Sequence, residues 1–164
     1  IIILLCIIIA IIPKETETIE IIKEVEKEVI VEVEKEPAYV YDITSTEREM
    51  LARLVYREAN IESLECQMAV VSVVINRWQD GRWGNTIASV IYSPYQFSPS
   101  GLIHKTTPTE TNYVAVDHII KSGSILPKYC LYFRSQYGFS STWSGYTEYA
   151  QIGDMYFGYF MADK

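Results

Sequence analysis

Thr44-Ser45-Thr46-Glu47-Arg48-Glu49-Met50-Leu51-Ala52-Arg53-Leu54-Val55-Tyr56-Arg57-Glu58-Ala59-Asn60 reads as one amphipathic helix with its start marked. Thr44 and Glu47 fit a capping box, in which hydroxyl and carboxylate satisfy the free backbone donors of a first turn reciprocally. Leu51, Leu54, Val55 and then Ala59 recur at helical spacing and predict a core-facing stripe. Glu58 falls on that same face, so a carboxylate sits at the end of an apolar stripe. Desolvation there would disfavour its charged form, and a carboxyl kept protonated near neutral pH is what a glycosidic leaving oxygen needs from a general acid. The other reading of Glu58 is an ion pair with Arg53, Arg57 or Arg77.

Downstream, a second helix is expected from about Ser63 to Trp78, so apolar between Met68 and Ile75 that it must be buried nearly all round. A short third helix, Thr86 to Tyr92, is stopped by Ser93-Pro94. The fourth is expected to open with Thr107-Pro108-Thr109-Glu110, a capping box with Pro at the first helical position, and to close at Gly123. Beyond Gly123 the character changes. Cys130 to Phe133 reads as a short buried strand, Ser135 to Gly145 as a Ser/Gly-rich loop, and Tyr149–Ile152 with Met155–Phe160 as a hairpin around Gly153-Asp154. Helices first and strands last in one short domain predict an α+β fold with a small antiparallel sheet at its C-terminal end.

Upstream, Pro37 closes a different kind of sequence, and the catalytic domain is expected to occupy residues 38–164. Residues 13–37 form a charged stalk whose apolar positions fit a strand period in one part and a helix period in another. Residues 1–12 are wholly apolar apart from Cys6, with eight isoleucines. As a helix they would cover about 18 Å, against roughly 30 Å of bilayer hydrocarbon. They read as part of a membrane anchor or signal core, and the lack of an A-x-A cleavage pattern favours the anchor.

The charge is unevenly spread: residues 13–36 hold nine Glu against four Lys, which is −5 of the total −7, so −2 remains elsewhere. With no basic stripe, the domain is not expected to bind nucleic acid. Thirteen tyrosines against five phenylalanines favour rings with a hydroxyl, which suit a flat polar partner such as a sugar and also fill half-buried strand positions. Cys66 and Cys130 could pair outside the cell or remain two buried thiols.

The run Leu51 to Asn60, followed by Gln67-Met68-Ala69-Val70-Val71-Ser72-Val73-Val74-Ile75-Asn76-Arg77, resembles the spore cortex-lytic, cell wall hydrolase family typified by SleB. The resemblance continues through Thr86 to Tyr92, Gln96-Phe97-Ser98, Leu131-Tyr132-Phe133 and Ile152-Gly153, and so covers about residues 46–160. It implies a small relative of the lysozyme and lytic-transglycosylase fold, acting on peptidoglycan glycan strands, with Glu58 as the catalytic residue. It also implies a substrate groove formed by Gln96, Phe97, Ser98 and Tyr132, with Gln67 of the second block assigned to the same site; no metal or cofactor is implied. This chain departs from the family at Arg57, where many relatives have Gly, at Cys66, and at Asp154-Met155, where Asn-His is frequent.

A retaining or inverting glycosidase needs two acids, whereas a lytic transglycosylase can use one Glu as acid and then base. Glu62 and Glu65 fall between helices and Asp80 in a turn, none on an apolar face, so the single-acid mechanism is preferred. One alternative is a peptidase using Cys66 near a helix start, with His104 or His118 as base. Another is a peptidoglycan-binding module without activity. A zinc amidase is disfavoured, because two His fourteen residues apart do not supply a ligand set.

Overall fold

The computed structural model describes residues 40–97, 100–136 and 144–164, within a folded unit running from Tyr39 to Lys164. The expected anchor and stalk, and Ser98, lie outside the described residues. Among the described residues, no helix is long and apolar enough to cross a membrane.

Four α-helices come first: α1 (Ser45–Ala59), α2 (Leu64–Asp80), α3 (Ile87–Ile91) and α4 (Glu110–Ser122). Three strands follow, β1 (Tyr132–Ser135), β2 (Tyr146–Ile152) and β3 (Met155–Phe160). They form an antiparallel sheet in the order β1-β3-β2. This is the expected α+β arrangement.

Local chemistry explains the helix ends. The Thr44 hydroxyl accepts from the Glu47 N–H at 3.2 Å, and the Glu47 carboxylate accepts from the Thr44 N–H at 3.1 Å, which makes the predicted capping box. Helix α2 starts on the Ser63 cap and runs two residues past the expected Trp78, ending where Gly81 adopts φ +82°. Helix α4 starts later than expected, at Glu110, with Pro108 outside it. The reason is Asn112, whose Oδ1 accepts from both the Thr109 N–H (2.7 Å) and the Thr109 hydroxyl (2.9 Å), a role the sequence reading gave to the Thr107 box. Strand β1 is likewise shifted to Tyr132–Ser135, and β2 begins at Tyr146, close to the end of the expected loop. A 3-10 helix, Ser100–Lys105, was not foreseen.

Helix α2 is the centre of the core: Cys66, Gln67 and every residue from Ala69 to Arg77 are buried. Leu51, Leu54 and Val55 of α1, Val116 and Ile119 of α4, and Met155 and Phe157 of β3 pack in the same cluster. Each fully buried side chain of this size contributes roughly 1.5–3 kcal/mol. Two polar residues at the end of α2 tie the helices to the sheet. Asn76 donates to the carbonyls of Pro127 (2.8 Å) and Cys130 (3.0 Å), and Arg77 Nε donates to that of Leu131 (2.6 Å), which sets where β1 begins.

Candidate active site

Glu58 stands half-buried in the last turn of α1, one residue before the buried Ala59. It interacts electrostatically with Arg77. Arg77 is only 4% exposed, and burial pulls its pKa down to about 10 while the charges of Tyr132 and Glu58 hold it up. It therefore stays cationic at neutral pH beside Glu58.

Three rings enclose Arg77. Its Cζ lies 4.9 Å from the ring centre of Trp83, 5.0 Å from Phe97 and 5.4 Å from Tyr132. They come from the turn after α2, the turn after α3 and strand β1, so one cation gathers three separate stretches of chain beside the end of α1. The rings also brace one another: Tyr132 packs edge-on to Trp83 (6.0 Å) and Phe160 (4.9 Å), and Phe97 lies 6.1 Å from Phe133. Burial, followed by the charge of Asp163, raises the Tyr132 pKa, so its hydroxyl remains a proton donor through neutral pH.

The structure thus brings Glu58, Phe97 and Tyr132 around Arg77. Phe97 is only 6% exposed and acts mainly as the packed floor under the guanidinium. Gln96 is half-buried, with its Nε2 donating to the Pro94 carbonyl at 3.2 Å. Gln67 is elsewhere in character. It is 2% exposed, its Nε2 donates to the Glu62 carbonyl (3.1 Å), and its Oε1 accepts from Asn112 (2.9 Å). Both ends of the amide are engaged inside the protein, so Gln67 is a core hydrogen-bonding residue and does not present its amide to substrate, contrary to expectation. Sequence reasoning considered Arg77 only as an ion-pair partner and missed Trp83. The signal available for Arg77 was its place at the end of a wholly apolar helix, where a cation needs partners.

A hollow of about 710 Å³ opens at the other end of α1, lined by Tyr41, Asp42, Arg48, Asp117 and Lys121 among others. About ten residues, or roughly 15 Å of helix, separate Arg48 from Glu58. Arg48 is already held by Asp117 at 2.5 and 2.7 Å, so this hollow is not the site of Glu58.

The family profile described as cell wall hydrolase matches residues 61–158, more than half of the chain. The chain belongs to the cell wall hydrolase family. It is an enzyme that acts on peptidoglycan. A search of the curated proteins finds no match. Among solved structures, the hydrolase is similar to the catalytic domain of the Bacillus cereus SleB protein, with 28% identity and a TM-score of 0.64 over 71% of this chain and 92% of that one. It is also similar to the catalytic domain of the germination-specific lytic transglycosylase SleB from Bacillus anthracis, with 28% identity and a TM-score of 0.62 over 70% of this chain and 95% of that one. The family match begins at Ile61, just after Glu58.

The cysteine alternative fails in this hydrolase on physical grounds. Cys66 is fully buried, and burial, reinforced by the charge of Glu62, pushes its thiol up to about 12. A nucleophile must be a thiolate near neutral pH, and this thiol is not. Cys130 is buried and is likewise pushed to about 12 by burial; both cysteines are free, so the pairing left open by the sequence is not made.

Proposed function

We propose that the hydrolase cuts peptidoglycan glycan strands as a lytic transglycosylase, between N-acetylmuramic acid and N-acetylglucosamine, with Glu58 as the single acid and base. The observation that carries the reading is the half-buried carboxyl of Glu58 beside the enclosed cation Arg77, at a wall of Trp83, Phe97 and Tyr132. The likeness to a domain described as a germination-specific lytic transglycosylase supports the same reaction class.

In its protonated form Glu58 gives its proton to the glycosidic oxygen as the bond to C1 of the muramic residue breaks, so the leaving sugar departs as a neutral alcohol. Positive charge develops at C1 and the ring oxygen. Glu58 is now a carboxylate, stabilised by the Arg77 cation. It takes the proton of the same residue's 6-hydroxyl while that oxygen bonds to C1, closing a 1,6-anhydro ring and restoring the acid. No water is consumed.

A two-acid mechanism finds little support among the neighbouring carboxylates. Glu62 accepts from the Asp154 N–H at 3.2 Å, Asp80 is paired with Arg82 at 2.5 Å, and Glu65 is exposed on the first turn of α2. Gln96, Ser98 and Tyr132 complete the proposed groove. The same reading puts the domain outside the cytoplasm, held through residues 1–12 and spaced by the stalk; recovery of the full-length protein as a soluble cytoplasmic species would contradict it.

The test is mass spectrometry of muropeptides released from purified peptidoglycan. Anhydro-muramic ends are expected from the wild type, and Glu58→Gln should release them at least about 10²–10⁴-fold more slowly while keeping its melting temperature. Reducing ends would mean hydrolysis, free stem peptides a peptidase or amidase, and binding without release a non-catalytic module. Lysis by Glu58→Gln at the wild-type rate would remove Glu58 from the mechanism.

A further inference from the structure

Tyr95 is the one non-glycine residue with positive φ among the described residues, at +62°. A side chain with a Cβ adopts that left-handed conformation only at a cost, and for a bulky residue it is an outlier. Such strain persists where the surroundings or a function maintain it. The Tyr95 backbone is set locally: Ser93 to Gln96 form a turn closed by the Gln96 N–H donating to the Ser93 carbonyl at 3.3 Å, with Pro94 second and Tyr95 at the third position, where positive φ is required, while the ring itself is fully exposed (102%) and buries nothing. A single exposed aromatic residue is ordinary. A bulky ring kept entirely in solvent at a turn position that favours glycine is not.

Its position suggests what the ring meets. Tyr95 lies in the turn after α3, two residues from Phe97, so at most about 7 Å of chain separates it from the floor under Arg77. Gln96, between them, folds its amide back onto the Pro94 carbonyl, which ties the turn locally. Tyrosine combines a flat apolar face with a polar tip, the combination that fits the face of a pyranose ring with hydroxyls at its rim.

We infer that Tyr95 is a stacking platform for a sugar of the glycan strand, at a subsite next to the one cleaved. The inference rests on the glycan-cleaving reading above. Tyr95 is a binding residue in this scheme, and the strained turn presents its ring towards a long substrate rather than towards the core.

The experiment compares the full chain with Tyr95→Gly, Tyr95→Asn and Tyr95→Phe on soluble glycan strands prepared from peptidoglycan, with melting temperatures measured alongside. Gly and Asn both tolerate φ near +60°, so these two variants should melt at or above the wild type. Their KM should rise roughly 3- to 10-fold, the loss falling on KM rather than kcat, as expected when a stacked ring is lost. Tyr95→Phe, which keeps the face, should keep the wild-type KM. A wild-type KM in both Tyr95→Gly and Tyr95→Asn would overturn the platform, and so would a Tyr95→Phe that loses as much as Tyr95→Asn. Failure of the wild type to release any glycan fragment would sink the underlying reading itself, a result the variants could not imitate.

Discussion

A carboxyl and a guanidinium brought together inside a protein each alter what the other can do. Arg77, held by the Leu131 carbonyl and by three rings, keeps its charge although it is almost wholly buried, and in the proposed mechanism it offers Glu58 a fixed cation for the moment after proton donation. Gln67 illustrates the opposite case, a polar residue whose bonds are all internal. Replacing it with Met leaves the Asn112 amide and the Glu62 carbonyl without their partner, which should cost about 1–3 kcal/mol of stability. Urea unfolding would measure that loss, and KM for peptidoglycan fragments should stay as in the wild type. A raised KM at unchanged stability would return Gln67 to the substrate site.

At the scale of elements, the β2–β3 hairpin is docked by its tip. Gly153 turns at φ +60°, the following Asp154 N–H donates to Glu62, and a Cβ at Gly153 would run into the same Glu62 carboxylate oxygen. Gly153→Ala therefore combines backbone strain with displacement of the carboxylate, and should destabilise the domain by about 1–3 kcal/mol. Glu62→Ala removes the obstacle and the hydrogen bond together. The double variant should then lose less than the sum of the two single losses, by about 0.5 kcal/mol or more in a thermodynamic cycle read from urea denaturation. Strict additivity would show that the turn and Glu62 do not act on each other. Farther along β2, a bulge between Glu148 and Ala150 leaves Tyr149 outside the regular register, half-exposed and edge-on to Tyr129 at 6.4 Å.

Across the whole molecule, the buried thiols set how stability responds to alkali. Cys66 and Cys130 sit at about 12 in the folded state against 9.0 for a free thiol. Above pH 9 the unfolded chain loses these protons while the folded chain keeps them, so the unfolded state binds fewer protons and stability falls as pH rises. Arg77 acts in the opposite sense only above about 10, where the folded state begins to release its proton before the unfolded state does. The window from pH 9 to 10 therefore belongs to the thiols, with the raised Tyr146 and Tyr132 adding to them towards its upper end. Melting temperatures measured from pH 7 to 10 should decline beyond pH 9, and Cys66→Ala with Cys130→Ala should flatten the decline. An equally steep decline in the double variant would mean that other groups carry it.

Much of this was legible along the chain because it is local. The Thr44–Glu47 box, the Leu51-Leu54-Val55 stripe, the all-round burial of α2 and the Gly153-Asp154 turn depend on residues a few positions apart, and their pattern states their period and their ends. The same spacing places the Glu58 carboxylate on the inward face of its helix, while its reading as the catalytic residue comes from the resemblance to the family. The late start of α4 was not legible, since Asn112 takes the cap there while its amide reaches Gln67 in a different helix. Nor was the enclosure of Arg77, whose rings come from three stretches that meet only when the strand pairs and the turns close. Periodicity records which side of an element faces inward; which residue it meets there is decided by packing between distant segments, and that information exists only in the tertiary structure.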